Sequence, residues 1–216
     1  MTQNSINNTF LGVGAEDAFN RYQNPGQTFA KGIDTSDANA LKLTDGTDPS
    51  SGSVLWRMST AGERTMPLQP AFSAYRNVSI LNQTGAGAVV TVPFDTESFD
   101  QNGDYNNGTF TFTAPVTGRY FFTSTITFSA LTAAMTRCDL FMNITGQSYW
   151  LETLSIGAIR DSLNEASIKG SIIAAMSTGD TATVSVRISN GAGDTATITG
   201  LNAGFARTTF SGYLVC

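Results

Sequence analysis

Four carboxylates crowd one short stretch, Asp95, Glu97, Asp100 and Asp104. Carboxylate oxygens are the ligands that a hard cation such as calcium takes. Their spacing is not that of a known calcium loop, so a solvated strand end is the ordinary reading. Calcium at Asp95, Glu97 and Asp104 is the one metal reading the sequence offers, and otherwise no metal is expected. Tyr149 and Trp150 are adjacent aromatics inside a polar stretch. On a loop, a Trp face would stack on a sugar or anchor a protein partner. On a strand, one of the two would fill the core. Arg137, Arg160 and Arg187 are candidates for bidentate binding of carboxylates, although isolated surface arginines are the default.

Catalysis finds little support. The chain has no histidine, so it lacks the commonest general base and the commonest metal ligand. Ser-His-Asp and Cys-His catalysis are excluded, and so is His-ligated zinc. Glycoside hydrolysis needs two carboxylates at a fixed separation, and no pair stands out. A non-enzymatic protein without a cofactor is expected. Net charge is −5, which argues against nucleic acid, because binding it requires a basic stripe. Cys138 and Cys216 show no metal-ligand spacing and are expected as two reduced thiols. Asn-x-Ser/Thr matches at Asn7, Asn77, Asn82, Asn107 and Asn143 are what an Asn- and Thr-rich chain produces, and would matter only in a eukaryotic secretory pathway. Met1–Phe10 is polar and has no signal-peptide pattern. No window reaches the roughly 20 apolar residues of a membrane span, so no membrane insertion is expected.

The elements that must position these residues are strands. Charged residues make up only 13% of the 216, about half the usual share. Thr, Ser, Asn and Gly fill the gap, a mixture suited to pleated surfaces joined by turns. A change of texture falls near Pro67–Pro70. Before it, the apolar groups Phe10–Val13, Phe29–Ile33, Leu41–Leu43 and Val54–Met58 are separated by turn signals such as Asn24-Pro25-Gly26. They are too sparse to build a core from one chain, yet Phe29/Lys31/Ile33 and Leu41/Leu43 alternate with period 2. Residues 1–69 are therefore expected to be ordered by other copies of the chain. After Pro70 the alternation is strong. Thr109–Thr113 reads as a strand. Tyr120, Phe122, Ile126 and Phe128 share one face, as do Val184, Val186 and Ile188. Phe210 and Leu214 share a face of the last strand. Leu151–Ile159, the one helix-like window, is expected to be strand or loop. Together these indicate an all-β antiparallel sandwich.

From residue 70 onward the sequence resembles the C1q domain of the C1q/TNF superfamily. Ala71-Phe72-Ser73-Ala74 stands in place of the family's opening strand. Phe94, Asp100, Tyr105, Phe112, Gly118, Tyr120 and Phe122 supply its spaced signature, although Ser124 stands where a further aromatic is expected. Thr209-Phe210-Ser211-Gly212-Tyr213-Leu214 matches the closing strand, and Gly179-Asp180 a turn before a strand. The resemblance implies a ten-stranded jelly roll at 70–216 that assembles as a tight homotrimer. Gly118 is expected in a turn at positive φ. The family's usual collagen stalk is missing, since residues 1–69 have no Gly-X-Y period.

The stretch Phe29–Asp37 with Leu41–Leu43, Gly52 and Val54–Met58 is similar to a module of tailed-phage fibre proteins, and Asn8-Thr9-Phe10-Leu11-Gly12 resembles short motifs of such fibres. That implies an extended β-rich stalk at 1–69, interwoven between chains, which joins other virion proteins. The expected role is a fibre or spike on the virion surface that binds a host-surface glycan or protein multivalently, with Tyr149 and Trp150 as candidate contacts. A capsid decoration or head-fibre protein is the alternative, favoured by the short chain. A secreted cellular C1q-like ligand is weaker, because Met1 reads as a true start.

Overall fold

The computed structural model describes residues 17–215; the Asn8–Gly12 motif, Phe10–Val13 and Cys216 lie outside the described residues. The chain divides into two compact units, residues 1–69 and 70–216.

The first unit is an antiparallel meander of β1 (Ala18–Asn24), β2 (Gln27–Asp34), β3 (Ala40–Thr44), β4 (Val54–Met58) and β5 (Arg64–Thr65), paired in sequence order. Interweaving with other copies was the sequence expectation; instead these strands pair within one chain. The turns explain the difference. Pro25 and Gly26 connect Asn24 to Gln27, and Gly26 takes φ 97°, the conformation a Pro-Gly turn favours. Short turns of this kind make the local partner the nearest one. The scarcity of apolar residues still shows. Among the described residues of this unit the buried apolar side chains are small, Ala30, Ala40 and Pro49, beside Asp34, Lys42 and Thr44. Lys42 Nζ reaches Asp34 Oδ2 at 2.6 Å and Asp37 Oδ2 at 2.9 Å, and Arg57 clamps Asp37 with two further hydrogen bonds. An ion-pair network occupies the place of a core. Pairing puts Phe29, Ile33, Leu41, Leu43, Trp56 and Met58 on the opposite face, none of them fully buried.

The second unit is an all-β jelly-roll sandwich. Its strands are β6 (Ala71–Tyr75), β7 (Ile80–Thr84), β8 (Val89–Thr91), β9 (Thr96–Asp100), β10 (Tyr105–Asn106), β11 (Thr111–Thr113), β12 (Gly118–Ser129), β13 (Arg137–Ile144), β14 (Gln147–Leu154), β15 (Ala166–Met176), β16 (Thr181–Ser189), β17 (Ala196–Ile198) and β18 (Thr209–Leu214). Four of these segments have only two or three residues, so the ten strands expected become thirteen segments among the described residues. One sheet runs β10-β11-β16-β13-β14, with β8 also along β16. The other runs β7-β17-β12-β18-β6-β9, with β15 along β12.

The signature residues meet between the sheets. Phe94, Phe112, Tyr120, Phe122 and Phe210 are buried, with Tyr105 nearly so. Phe72 stacks on Tyr105 at 4.8 Å and on Phe112 at 5.1 Å, and Phe210 meets it edge-on at 4.9 Å. Each such ring stabilises by about 1.5–3 kcal/mol on burial. The Tyr105 hydroxyl donates to the Phe94 carbonyl at 2.9 Å, and burial pushes its pKa well up. Ser124, where the family has an aromatic, is buried and donates to the Thr209 carbonyl at 2.9 Å.

Three local expectations need correction. Gly118 is not in a turn. It opens β12 opposite Met176, and the positive φ falls at Gly179, at 87°. Thr109–Thr113 is a strand only from Thr111. The Asn106 side chain accepts from the Gly108 and Thr109 amides, and Phe110 takes φ 60°, which breaks the alternation. Leu151–Ile159 is strand to Leu154, followed by one helical turn, α1 (Ile156–Ile159), which places buried Ile156 against the core.

Gly212 has no room for a side chain. A Cβ there would lie 2.4 Å from Phe122 Cδ1 and 2.9 Å from Phe72 Cε1. Gly212→Ala is expected to destabilise by about 1–3 kcal/mol through overpacking. Phe122→Ala should cost about 3–5 kcal/mol through the cavity left. Urea unfolding midpoints of the two variants against the parent check both.

Candidate functional site

The site is built on the β13–β14 hairpin. Thr145 and Gly146 connect Ile144 to Gln147, and Gly146 takes φ 75°. Up to Trp150 the two strands pair residue for residue, Phe141 opposite Trp150. Beyond it the register shifts, so Leu140 faces Glu152 and Asp139 faces Thr153. Leu151 is the extra residue. A bulge of this kind reverses which face the following side chains occupy. Trp150 and Thr153, three apart, would otherwise lie on opposite faces. Here they share the outer one, and Trp150 Nε1 donates to Thr153 Oγ1 at 2.8 Å. Leu151 and Tyr149 pack against the core. Of the two aromatics singled out in the sequence, only Trp150 is therefore presented to solvent, 53% exposed.

The neighbouring strand β16 completes the cluster. Asp139 is fully buried, paired with Thr153 on one side and Arg187 on the other. Arg187 Nη2 donates to Asp139 Oδ2 at 2.5 Å, Arg137 Nε at 3.0 Å, and Thr153 Oγ1 to Oδ1 at 2.9 Å. Burial pushes the Asp139 carboxyl up, but the hydrogen bonds from Arg187, Thr153 and Arg137 outweigh it and hold it below its ordinary value. Both guanidinium groups lie over the indole, Arg137 at 5.0 Å and Arg187 at 5.5 Å from its centroid. The Phe141 ring lies 5.0 Å from it. Among the described residues, Arg137 Nη1 and Nη2 and Arg187 Nη1 make no hydrogen bond. The arrangement offers guanidinium donors beside a half-exposed aromatic platform, groups suited to holding an anionic or ring-bearing ligand.

The other sequence candidates disperse. Asp95 pairs with Arg76 at 2.8 Å and accepts from the Asn77 amide. Asp100 caps its own turn, accepting from the amides of Gly103, Asp104 and Tyr105. Asp104 accepts from the Asn102 amide group, and burial raises its pKa. Glu97 lies on β9 opposite Ala74. Among the described residues no group of three or more His, Cys, Asp or Glu could hold a metal ion, so the calcium reading of Asp95, Glu97 and Asp104 finds no convergent site. Arg160 belongs to the α1 loop, bonded to the Gly157 carbonyl and Asn164. Cys138 is a buried free thiol whose pKa is pushed well up by burial and then by neighbouring Asp139. Sequence reasoning missed Asp139, Phe141 and Thr153. One signal was available, since a carboxylate inside the apolar run Cys138–Met142 demands a partner.

A second surface lies on the outer face of the other sheet. Phe121 stands between Ile173 and Tyr213 in register. Its ring is 5.4 Å from that of Tyr213, and Ile173 and Tyr213 are 59% and 49% exposed.

Two antiparallel sheets closed over an aromatic core define a C1q/TNF-like jelly roll. The chain belongs to the C1q domain family, which matches residues 71–215. Domains of this family are typically homotrimeric and generally non-enzymatic. The fold is similar to the globular domain of zebrafish complement 1qA protein (20% identity, 68% of this chain and 98% of that one, TM-score 0.47). It is also similar to murine APRIL (11% identity, 68% and 99%, TM-score 0.45). No curated protein matches the sequence. No helix among the described residues is long and apolar enough to cross a membrane.

Loss of Arg187 would leave Asp139 buried with a weaker share of partners. Arg187→Gln is expected to destabilise by about 3 kcal/mol at neutral pH. In the parent the Asp139 carboxyl is depressed by folding, so its contribution is present above the ordinary carboxylate value of about 4 and fades as pH falls through the lower folded value. In the variant burial dominates, the folded pKa rises and the sign reverses, so acidification to about pH 5 narrows the deficit. Denaturant titrations of both proteins at the two pH values check this, with Asp139→Asn expected to rescue the variant.

Proposed function

We propose that the chain is a non-enzymatic homotrimer on a virion surface, a fibre or spike whose C1q head engages a host-surface ligand. The observation that carries the trimer is the apolar outer face of Phe121, Ile173 and Tyr213, which a chain this polar has reason to cover. The family's habit of trimerising supports the same reading. Residues 1–69 supply the attachment and assembly segment. Their similarity to phage-fibre modules supports the virion context, and the incompletely buried face of Phe29, Leu43 and Trp56 supports assembly through this unit as well. Adhesion then works by multiplication. Three equivalent Trp150 faces on one rigid body raise avidity well beyond a single weak contact.

Light scattering on the purified protein should give three times 22.9 kDa. Ile173→Asp should weaken the trimer, so that the mass falls on dilution at a concentration where the parent stays trimeric, with the far-ultraviolet spectrum unchanged. A persistent trimer in that variant would show that another face assembles. Antibodies against the head should label a virion appendage and slow adsorption. Label over the capsid shell would instead favour a decoration protein, and no label on any particle would favour a cellular C1q-like ligand.

A further inference from the structure

We infer that the Trp150 face is a binding site for a carboxylate-bearing glycan, one whose acidic sugar stacks on the indole and places its carboxylate on the free donors of Arg137 and Arg187. This rests on the reading of the chain as a recognition protein and names the ligand class of that site.

Charge gives the first argument. Asp139 satisfies one nitrogen of Arg137 and two of Arg187 and has no exposed surface left. The arginine side chains remain 45% and 28% exposed. One buried carboxylate thus holds two guanidinium groups in fixed orientation, with three Nη atoms left over. Pre-aimed guanidinium donors match a carboxylate's geometry and lose little freedom on binding it. Glu152, the other nearby carboxylate, accepts from the Thr153 amide and forms no ion pair with either arginine.

The face around the cluster favours a sugar over an acidic peptide. Next to Trp150 along the hairpin lie Ser148 and Asn143, joined by a 2.9 Å hydrogen bond, and Asn143 donates to Ser185. These hydroxyl and amide groups suit ring hydroxyls, while the indole suits the flat C–H face of a pyranose. The indole nitrogen is already satisfied by Thr153, so the ring offers its surface and not a hydrogen bond. The site sits on a sheet face and not in a deep pocket, which leaves room for a residue within a longer chain.

The test uses the full chain on surfaces carrying uronic-acid and sialic-acid oligosaccharides, each beside the same oligosaccharide with its carboxyl methyl-esterified. Binding is expected to at least one free acid, about tenfold tighter than to its ester, and to weaken as salt is raised. The uronic and sialic surfaces separate the two sources of carboxylate. Trp150→Ala and Arg137→Gln should each lower affinity about tenfold or more with the oligomeric mass unchanged, and Lys31→Gln should not. Arg137→Gln covers the case in which Trp150→Ala disturbs the hairpin, because Arg187 still neutralises Asp139. Equal binding of acid and ester would overturn the inference while leaving a recognition protein. Binding indifferent to both variants, binding of an acidic peptide alone, or no binding to any surface would overturn it too. The trimer and particle-labelling measurements are independent of all these outcomes.

Discussion

The aromatic core of the second unit depends on the contact between Gly212 and the ring of Phe122. Gly212 pairs with Phe122 on one side and Phe72 on the other, and its missing side chain is the space those rings occupy. Phe72 in turn carries Tyr105 and Phe112 from the opposite sheet. Phe72 and Phe122 can therefore fill the space over the strand between them because that strand contributes no side chain at Gly212. Packing at interior density leaves no slack to absorb a methyl group there. Asp100 serves the same cluster from outside. By taking three amides of the turn before Tyr105, it fixes where that ring enters.

How much of this was legible follows from how local each cause is. The signature residues announce themselves because burial forces their type. Large rings, a glycine too close to them and a turn-capping carboxylate have few substitutes, so these residues at their spacing carried the resemblance to the C1q family that implied the fold. The acidic stretch misled for a related reason. Asp95, Glu97, Asp100 and Asp104 are close in sequence, but strand β9 and its following turn send them to different partners, Arg76 for one and backbone amides for another. Proximity along a strand does not create a common ligand sphere when alternate residues face opposite ways.

Trp150, Arg137 and Arg187 stood out singly, but their convergence was illegible for the opposite reason. Arg187 and Asp139 are 48 residues apart and meet only through the β13–β16 register. Trp150 and Thr153 share a face only because Leu151 is looped out of the register. A bulge has no reliable sequence mark, and without it the period-2 rule gives the wrong face for everything after Trp150. The first unit shows the same limit. Its apolar sparseness was visible, but the answer to it, Lys42 and Arg57 held between Asp34 and Asp37, depends on which strands become neighbours.

The two sheets of the second unit have acquired different outer faces, and the difference follows from what each can tolerate. On the seven-stranded sheet, Phe121, Ile173 and Tyr213 lie side by side on adjacent strands, an arrangement that lowers free energy only if something apolar covers it. On the six-stranded sheet, Asp139 is desolvated on the outer side, and a buried charge is tolerable only when partners are held against it. Arg137, Arg187 and Thr153 are those partners, and holding them is what fixes the guanidinium groups over Trp150. The same desolvation that would destabilise an unpaired Asp139 thus makes the surface above it rigid. A surface made rigid in this way binds without first ordering its own side chains, which is a large part of the cost of association. Because the apolar face and the rigid face lie on opposite sides of the sandwich, assembly through the first would leave the second open to ligand.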